Sequence, residues 1–329
     1  MKILTRTALC TMAAGAVIFF AGYAASGFDI KKLSDTQYEY TDESYCFSAY
    51  INVDAEISYD DIEVKPSEDE NVHVSFQSGG DTEYDVSEID GTVYVTNKHK
   101  QQKGLIRIDL NFNFARKKPL TISLPEGYGG YLTLETDCGD VNADGVTAKS
   151  FNGVAKYGDI VVSGCSFDEK FFLTADCGDV TLKNTAVNLS TVVTASYGDF
   201  TAYSCTLGKL ILNAACGDTD ILNSDAKDAE INSEYGDIVL TNTSFAGECK
   251  VWDSCGDIVL SGVTFLSDSS FYAEYGDITG SINGLQSDYS ILADVRYGDK
   301  NISNNIQDGK PTLSFETDTG DIKIRDTSN

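Results

Sequence analysis

The chain has 329 residues, enough for one large domain or two ordinary ones, and 51 acidic against 24 basic side chains give it a formal charge of −27. So acidic a chain is unsuited to nucleic acid or to an anionic membrane surface, both of which need clustered Lys and Arg. With 42% hydrophobic residues it is equally unlike a disordered acidic tail.

In chain order, the first element is a targeting segment. Lys2 and Arg6 precede an uncharged stretch from Thr7 to Phe28, closed by Asp29, Lys31 and Lys32. A stretch of this length spans a bilayer core as a helix. Ala24, Ala25 and Ser26 would allow cleavage, so a signal peptide competes with a retained anchor; the stretch is longer than a usual signal core, which favours the anchor. Basic residues at its start predict a cytoplasmic N-terminus. Residues 1–30 are thus expected to be a membrane anchor or signal segment. The expected placement is single-pass in the cell membrane, with the ectodomain outside the cytoplasm and membrane contact through that helix only.

Residues 31–130 alternate apolar and polar side chains in short runs, as in Ile51, Val53, Ala55 and Ile57, or Val72, Val74 and Phe76. Further strands are expected around Val93–Val95, Leu105–Ile108 and Leu120–Ile122. Irregular β strands of this kind would cap one end of a larger β stack and cover its open edge; a small separate β domain is the other reading.

From residue 131 to 329 the dipeptide Gly-Asp recurs at Gly139, Gly158, Gly178, Gly198, Gly217, Gly236, Gly256, Gly276, Gly298 and Gly320, at intervals of 19 to 22 residues. Before each glycine one parity is apolar or small (Phe171, Leu173, Ala175), which marks a strand with one buried face. Two and four residues past it come apolar pairs such as Val180 and Leu182, or Ile238 and Leu240. Six past it stands a turn former: Gly145, Gly164, Asn184, Ser204, Asn223, Asn242 or Gly262. One repeat cannot enclose a core, but stacked repeats can. The expectation is an all-β chain: a single-stranded β-solenoid of about ten coils of 19–22 residues, preceded by irregular β capping strands and an N-terminal transmembrane helix, with the last two repeats as the far cap. Twenty residues are too few for a four-stranded propeller blade, and a β-sandwich does not require so even a period.

The hydrophobic segment ending Gly-Phe-Asp-Ile-Lys-Lys-Leu (27 to 33), the irregular strands, the Ile122-Ser123-Leu124-Pro125 strand and the Gly-Asp-Ile/Val repeats together resemble the "putative adhesin" family of bacterial membrane-anchored proteins. The resemblance covers nearly the whole chain. It implies a surface role, adhesion by the family's name, and supplies no catalytic residues.

Two columns of the repeat invite chemistry. Before the glycines, Cys138, Tyr157, Cys177, Tyr197, Cys216, Tyr235, Cys255 and Tyr275 alternate; Tyr297 and Thr319 then break the pattern. Cysteines two coils apart stand about 9.6 Å from one another at the usual strand spacing, beyond disulfide reach and zinc reach. Parity places them inward with Ala175, Ala195 and Ala214. The expected role is therefore a packing column in which small thiols make room for tyrosine rings, and a metal or redox site is the rival. After the glycines, Asp140, Asp159, Asp179, Asp199, Asp218, Asp237, Asp257 and Asp277 form a second column, continued by Asp299 and Asp321. Asp accepts backbone N–H groups at tight turns; a calcium ladder is the alternative, although the denser calcium-roll nonapeptide is absent.

No cofactor, metal or catalytic residue is assigned. His73 and His99 lie away from any nucleophile motif, and no Gly-rich phosphate loop opens a helix. From residue 131 onward 12 basic residues face 31 acidic ones, which would repel an acidic sugar. An aromatic sugar platform would rest on tyrosines such as Tyr203, Tyr272 and Tyr289. The expected function is a non-catalytic cell-surface scaffold or binding module, adhesin-like or engaging a cationic peptide, protein or surface glycan. A carbohydrate-active enzyme on a solenoid scaffold is the alternative.

Overall fold

A computed structural model describes residues 40–79, 82–99 and 118–327, with scattered positions between 15 and 27. The anchor expected over residues 1–30 lies outside the described residues except at those positions. Among the described residues no helix is long and apolar enough to cross a membrane.

The chain divides into two units. The first comprises Met1–Asp42, Gln77–Glu83 and His99–Lys118. In its described part the Asp42 carboxylate accepts from the Lys118 ammonium at 2.9 Å and from the Gln77 amide at 2.9 Å, and these donors hold its carboxyl below the usual range.

The second unit comprises Glu43–Phe76, Tyr84–Lys98 and Pro119–Asn329, and it is a β-solenoid of about nine turns. Each full turn has three faces. A long strand such as Lys170–Cys177 lies on the first, a four-residue strand such as Val180–Lys183 on the second, and a two-residue strand such as Ser166–Phe167 on the third. Every face is a parallel ladder in register: Phe151 pairs with Phe171, Ile160 with Val180, Phe167 with Val187. Inward columns follow directly. Val180, Phe200, Thr219, Ile238, Ile258 and Ile278 occupy successive coils, each fully buried. Aromatic columns fill the wider part of the core, with Phe245 stacked on Phe265 at 5.8 Å and Phe271 on Phe315 at 5.3 Å. Burying one such ring contributes about 1.5–3 kcal/mol.

The corners follow from local chemistry. The turn after the second face is left-handed at Asn184, Ser204, Asn223 and Asn242 (φ 49° to 54°) and at Gly164 and Gly262. At the Gly-Asp corner neighbouring backbones approach too closely for a side chain. A Cβ on Gly217, which has φ of 141°, would lie 2.2 Å from the Gly198 carbonyl oxygen.

Stacking order departs from chain order at both ends. On the first face residues 92–96 pair with 52–56, which pair in turn with Tyr131–Thr136, so the chain starts one coil in, moves outward and returns. At the other end Ser269–Tyr275 pairs with Thr312–Thr319, and only that strand pairs with Ser290–Tyr297. The Gly320 repeat therefore lies between the Gly276 and Gly298 repeats. The Gly298 repeat keeps a full first-face strand, but on the second face it is reduced to one bridge, Lys300 with Ile322. The solenoid thus has about nine turns where ten Gly-Asp copies led to an expectation of ten.

Candidate binding surface

The aspartates after the glycines are tied into one continuous ladder. In each, Oδ1 accepts the backbone N–H of the aspartate in the next coil: Asp159 to Asp140 at 3.0 Å, Asp199 to Asp179 at 2.8 Å, Asp237 to Asp218 and Asp257 to Asp237 at 2.9 Å. The same bond joins Asp179 to Asp159, Asp218 to Asp199 and Asp277 to Asp257. A hydrogen bond to a charged acceptor contributes about 1.5–3 kcal/mol, which offsets the repulsion of carboxylates one coil apart. The ladder is longer than the Gly-Asp repeats: Asp61 accepts from Asp140 at 3.1 Å at one end, and Asp321 then Asp299 complete the other. Asp61 follows no glycine. Its only signal in the sequence is that it precedes an inward isoleucine, Ile62, as the ladder aspartates from Asp140 to Asp277 each precede an inward residue. Among the described residues no group of three or more His, Cys, Asp or Glu side chains is placed to hold a metal ion.

The column before the glycines requires a correction. Cys138 and Cys177 are exposed, Cys216 and Cys255 half-buried, and Tyr157, Tyr197, Tyr235 and Tyr275 are 57–65% exposed. They do not pack inward. The reason is a step in the ladder: pairing runs through Ala195 with Ala214, skips one residue and resumes at Tyr197 with Cys216. The chain is already turning the corner there, so strict alternation ends at the alanine, and in the 170–177 strand both Asp176 and Cys177 face outward. All described cysteines are free thiols.

Seen in stacking order, the outward column is more regular than in the sequence. The terminal inversion puts Thr319 between Tyr275 and Tyr297, so the alternation that breaks in the sequence continues in space. At the other end Cys138 N donates to Ser58 O, as Tyr157 N donates to Asp137 O, which sets Tyr59 on the rung before Cys138. Six tyrosines (59, 157, 197, 235, 275 and 297) thus alternate with four cysteines and a threonine over eleven rungs, each ring at least 57% exposed. This order, with Tyr59 and Thr319 in it, is invisible to a reading of the Gly-Asp repeats alone.

Other features stand apart from this corner. Lys156 bridges Asp137 at 2.7 Å and Glu135 at 2.9 Å. Tyr289 is buried and donates to the Asn283 carbonyl at 2.7 Å, so it offers no sugar platform. An open cleft of about 940 Å³ is lined by Tyr50, Glu68, Asp69 and Tyr128 among others. Beside it His73 and the Asn71 amide hold the Asp69 carboxyl down at about 2. Asp253 occupies an inward position on the first face with neither oxygen hydrogen-bonded. Burial, with the charge of Asp237 added, pushes its carboxyl up to about 7.

The profile of the Toastrack DUF4097 family matches residues 50–325. Solved structures similar to the chain include a "putative adhesin" from Bacteroides fragilis (13% identity, 87% of this chain and 97% of that one, TM-score 0.40). Another is a "putative lipid binding protein" from Parabacteroides distasonis (14%, 89% and 98%, TM-score 0.41), and a third is a "putative adhesin" from the same organism (11%, 88% and 98%, TM-score 0.35). No curated protein matches the chain.

Proposed function

The chain belongs to the Toastrack DUF4097 family, and from that premise we propose that it is a non-catalytic binding scaffold that recruits cationic partners outside the cytoplasm, held at the membrane by its first thirty residues. The observation that carries this reading is the aspartate ladder. Eleven carboxylates lie in one row, and all but the terminal Asp299 have one oxygen committed to the neighbouring amide. Such a row draws cations over about 8 Å at physiological ionic strength. The anchor rests on the basic start and uncharged run of residues 1–28.

A glycosidase reading needs a raised carboxyl in a groove. Asp253, pushed up to about 7, sits instead in a packed inward column. The test is titration of the full-length protein with a fluorescent oligolysine. Binding at low salt that weakens steeply as salt rises supports the reading, and no binding at low salt overturns it. Release of reducing ends from a polysaccharide would overturn the non-catalytic assignment.

A further inference from the structure

We propose that the tyrosine–aspartate corner is a binding track for an extended β-1,4-linked amino-sugar chain lying along the coil stack. The inference deepens the cation-recruiting role and rests on it. The first ground is the alternation itself. Nothing in the packing forbids aromatic rings on adjacent coils, because Phe245 and Phe265 stack at 5.8 Å and Phe271 and Phe315 at 5.3 Å. A continuous tyrosine stack would add about 0.5–1.5 kcal/mol per pair. The column instead places a small residue between every two rings, and it does so across both places where stacking order departs from chain order. From Tyr157 to Tyr275 each ring is left with room to turn a face outward, while Arg296 stands over the Tyr297 ring at 5.7 Å.

The second ground is a double registry. Coils about 4.8 Å apart give one tyrosine every 9.6 Å or so and one aspartate every coil. In an extended β-1,4 chain each sugar is turned over relative to the last, so the same apolar C–H face recurs every second sugar, and two coils nearly match that repeat. One ring then meets one sugar face per disaccharide. The C2 ammonium turns over with its sugar, so the carboxylate row meets one ammonium per disaccharide, at the aspartate of every second coil, whose Oδ1 is held by the ladder. A cationic peptide fits less well, because side chains on one face of an extended strand recur about every 6.7 Å and fall out of step with the rings. A second copy of this chain is disfavoured by its charge of −27.

The experiment is calorimetric titration of the full-length protein with a glucosamine octamer, its fully N-acetylated counterpart and oligolysine. The octamer should bind at least tenfold more tightly than a glucosamine dimer and than the acetylated octamer. Tyr197→Ala with Tyr235→Ala should lower octamer affinity at least tenfold while leaving oligolysine binding within twofold. Because both rings are exposed, the melting temperature should stay unchanged, and Tyr→Phe at both sites should restore binding. Equal binding of the acetylated octamer, or affinity untouched by the double replacement, overturns the track. Oligolysine binding without octamer binding removes this inference and leaves the proposed function standing; loss of both removes both.

Discussion

Asp277 and Asp321 are forty-four residues apart, yet the backbone N–H of Asp321 donates to the Asp277 carboxylate at 2.8 Å, as closely as any ladder partners twenty residues apart. The bond exists because the Gly320 coil stacks directly on the Gly276 coil. It passes the ladder across the inversion without a missing rung.

The ladder can be probed one rung at a time. Asp218→Ala removes the acceptor for the Asp237 amide and should destabilise by about 1.5–3 kcal/mol. Asp218→Asn keeps an acceptor oxygen and should lose much less. Urea unfolding of the two variants reads the difference; equal losses would show that the rung hydrogen bond contributes nothing.

Asp253 should be the costliest carboxylate in the core. On the coils nearest it the column holds Ala195, Ala214, Ser233, Ala273 and Thr317. Its folded value of about 7 stands above the ordinary carboxyl value of 3.8, so between those limits the folded state binds more protons than the unfolded. Stability from this group is full below about pH 4, falls by up to roughly 1.4 kcal/mol per pH unit, and is lost above about 7. Asp253→Ala should raise the melting temperature at pH 8 and remove that slope. An unchanged pH profile in the variant would contradict the assignment.

Gly217→Ala places a methyl group against the Gly198 carbonyl at an unfavourable φ and should cost about 1–3 kcal/mol. Gly309→Ala is the comparison, since nothing lies within 4 Å of its added carbon although φ is 72°. Thermal melts should show the larger loss at Gly217.

The cysteines should divide by exposure. Alkylation of the native protein should label Cys138 and Cys177 and spare Cys249, which is fully buried with its thiol pushed up by burial. Mass spectrometry of the labelled protein reads the pattern directly. Cys177→Ser should change stability by less than about 0.5 kcal/mol, as for other exposed sites.

How far the sequence carries the fold depends on which physical rule is asked. Coil period, inward columns and the left-handed corner at Asn184 or Asn242 are local properties, readable from spacing and turn chemistry. The side occupied by Cys177 is not, because strict alternation ends at Ala175 and the last residues of the strand turn a corner where the ladder skips a residue. Stacking order is not local either. The Gly298 and Gly320 copies share the same dipeptide and nearly the same spacing, and only the pairing of Thr312–Thr319 with both neighbours decides which lies outside. The candidate surface was half legible for the same reason: its repeats were visible, but Tyr59, Asp61 and Thr319 join it only through stacking.

The inversion at the C-terminal end also sets when the stack can be finished. Strand Ser290–Tyr297 is made before Thr312–Thr319, but its first-face partner is that later strand. A chain emerging N-terminus first therefore carries the Ser290–Tyr297 strand before its first-face partner exists, and until Thr312–Thr319 follows, the Ser269–Tyr275 edge stays open as a ready template for another strand.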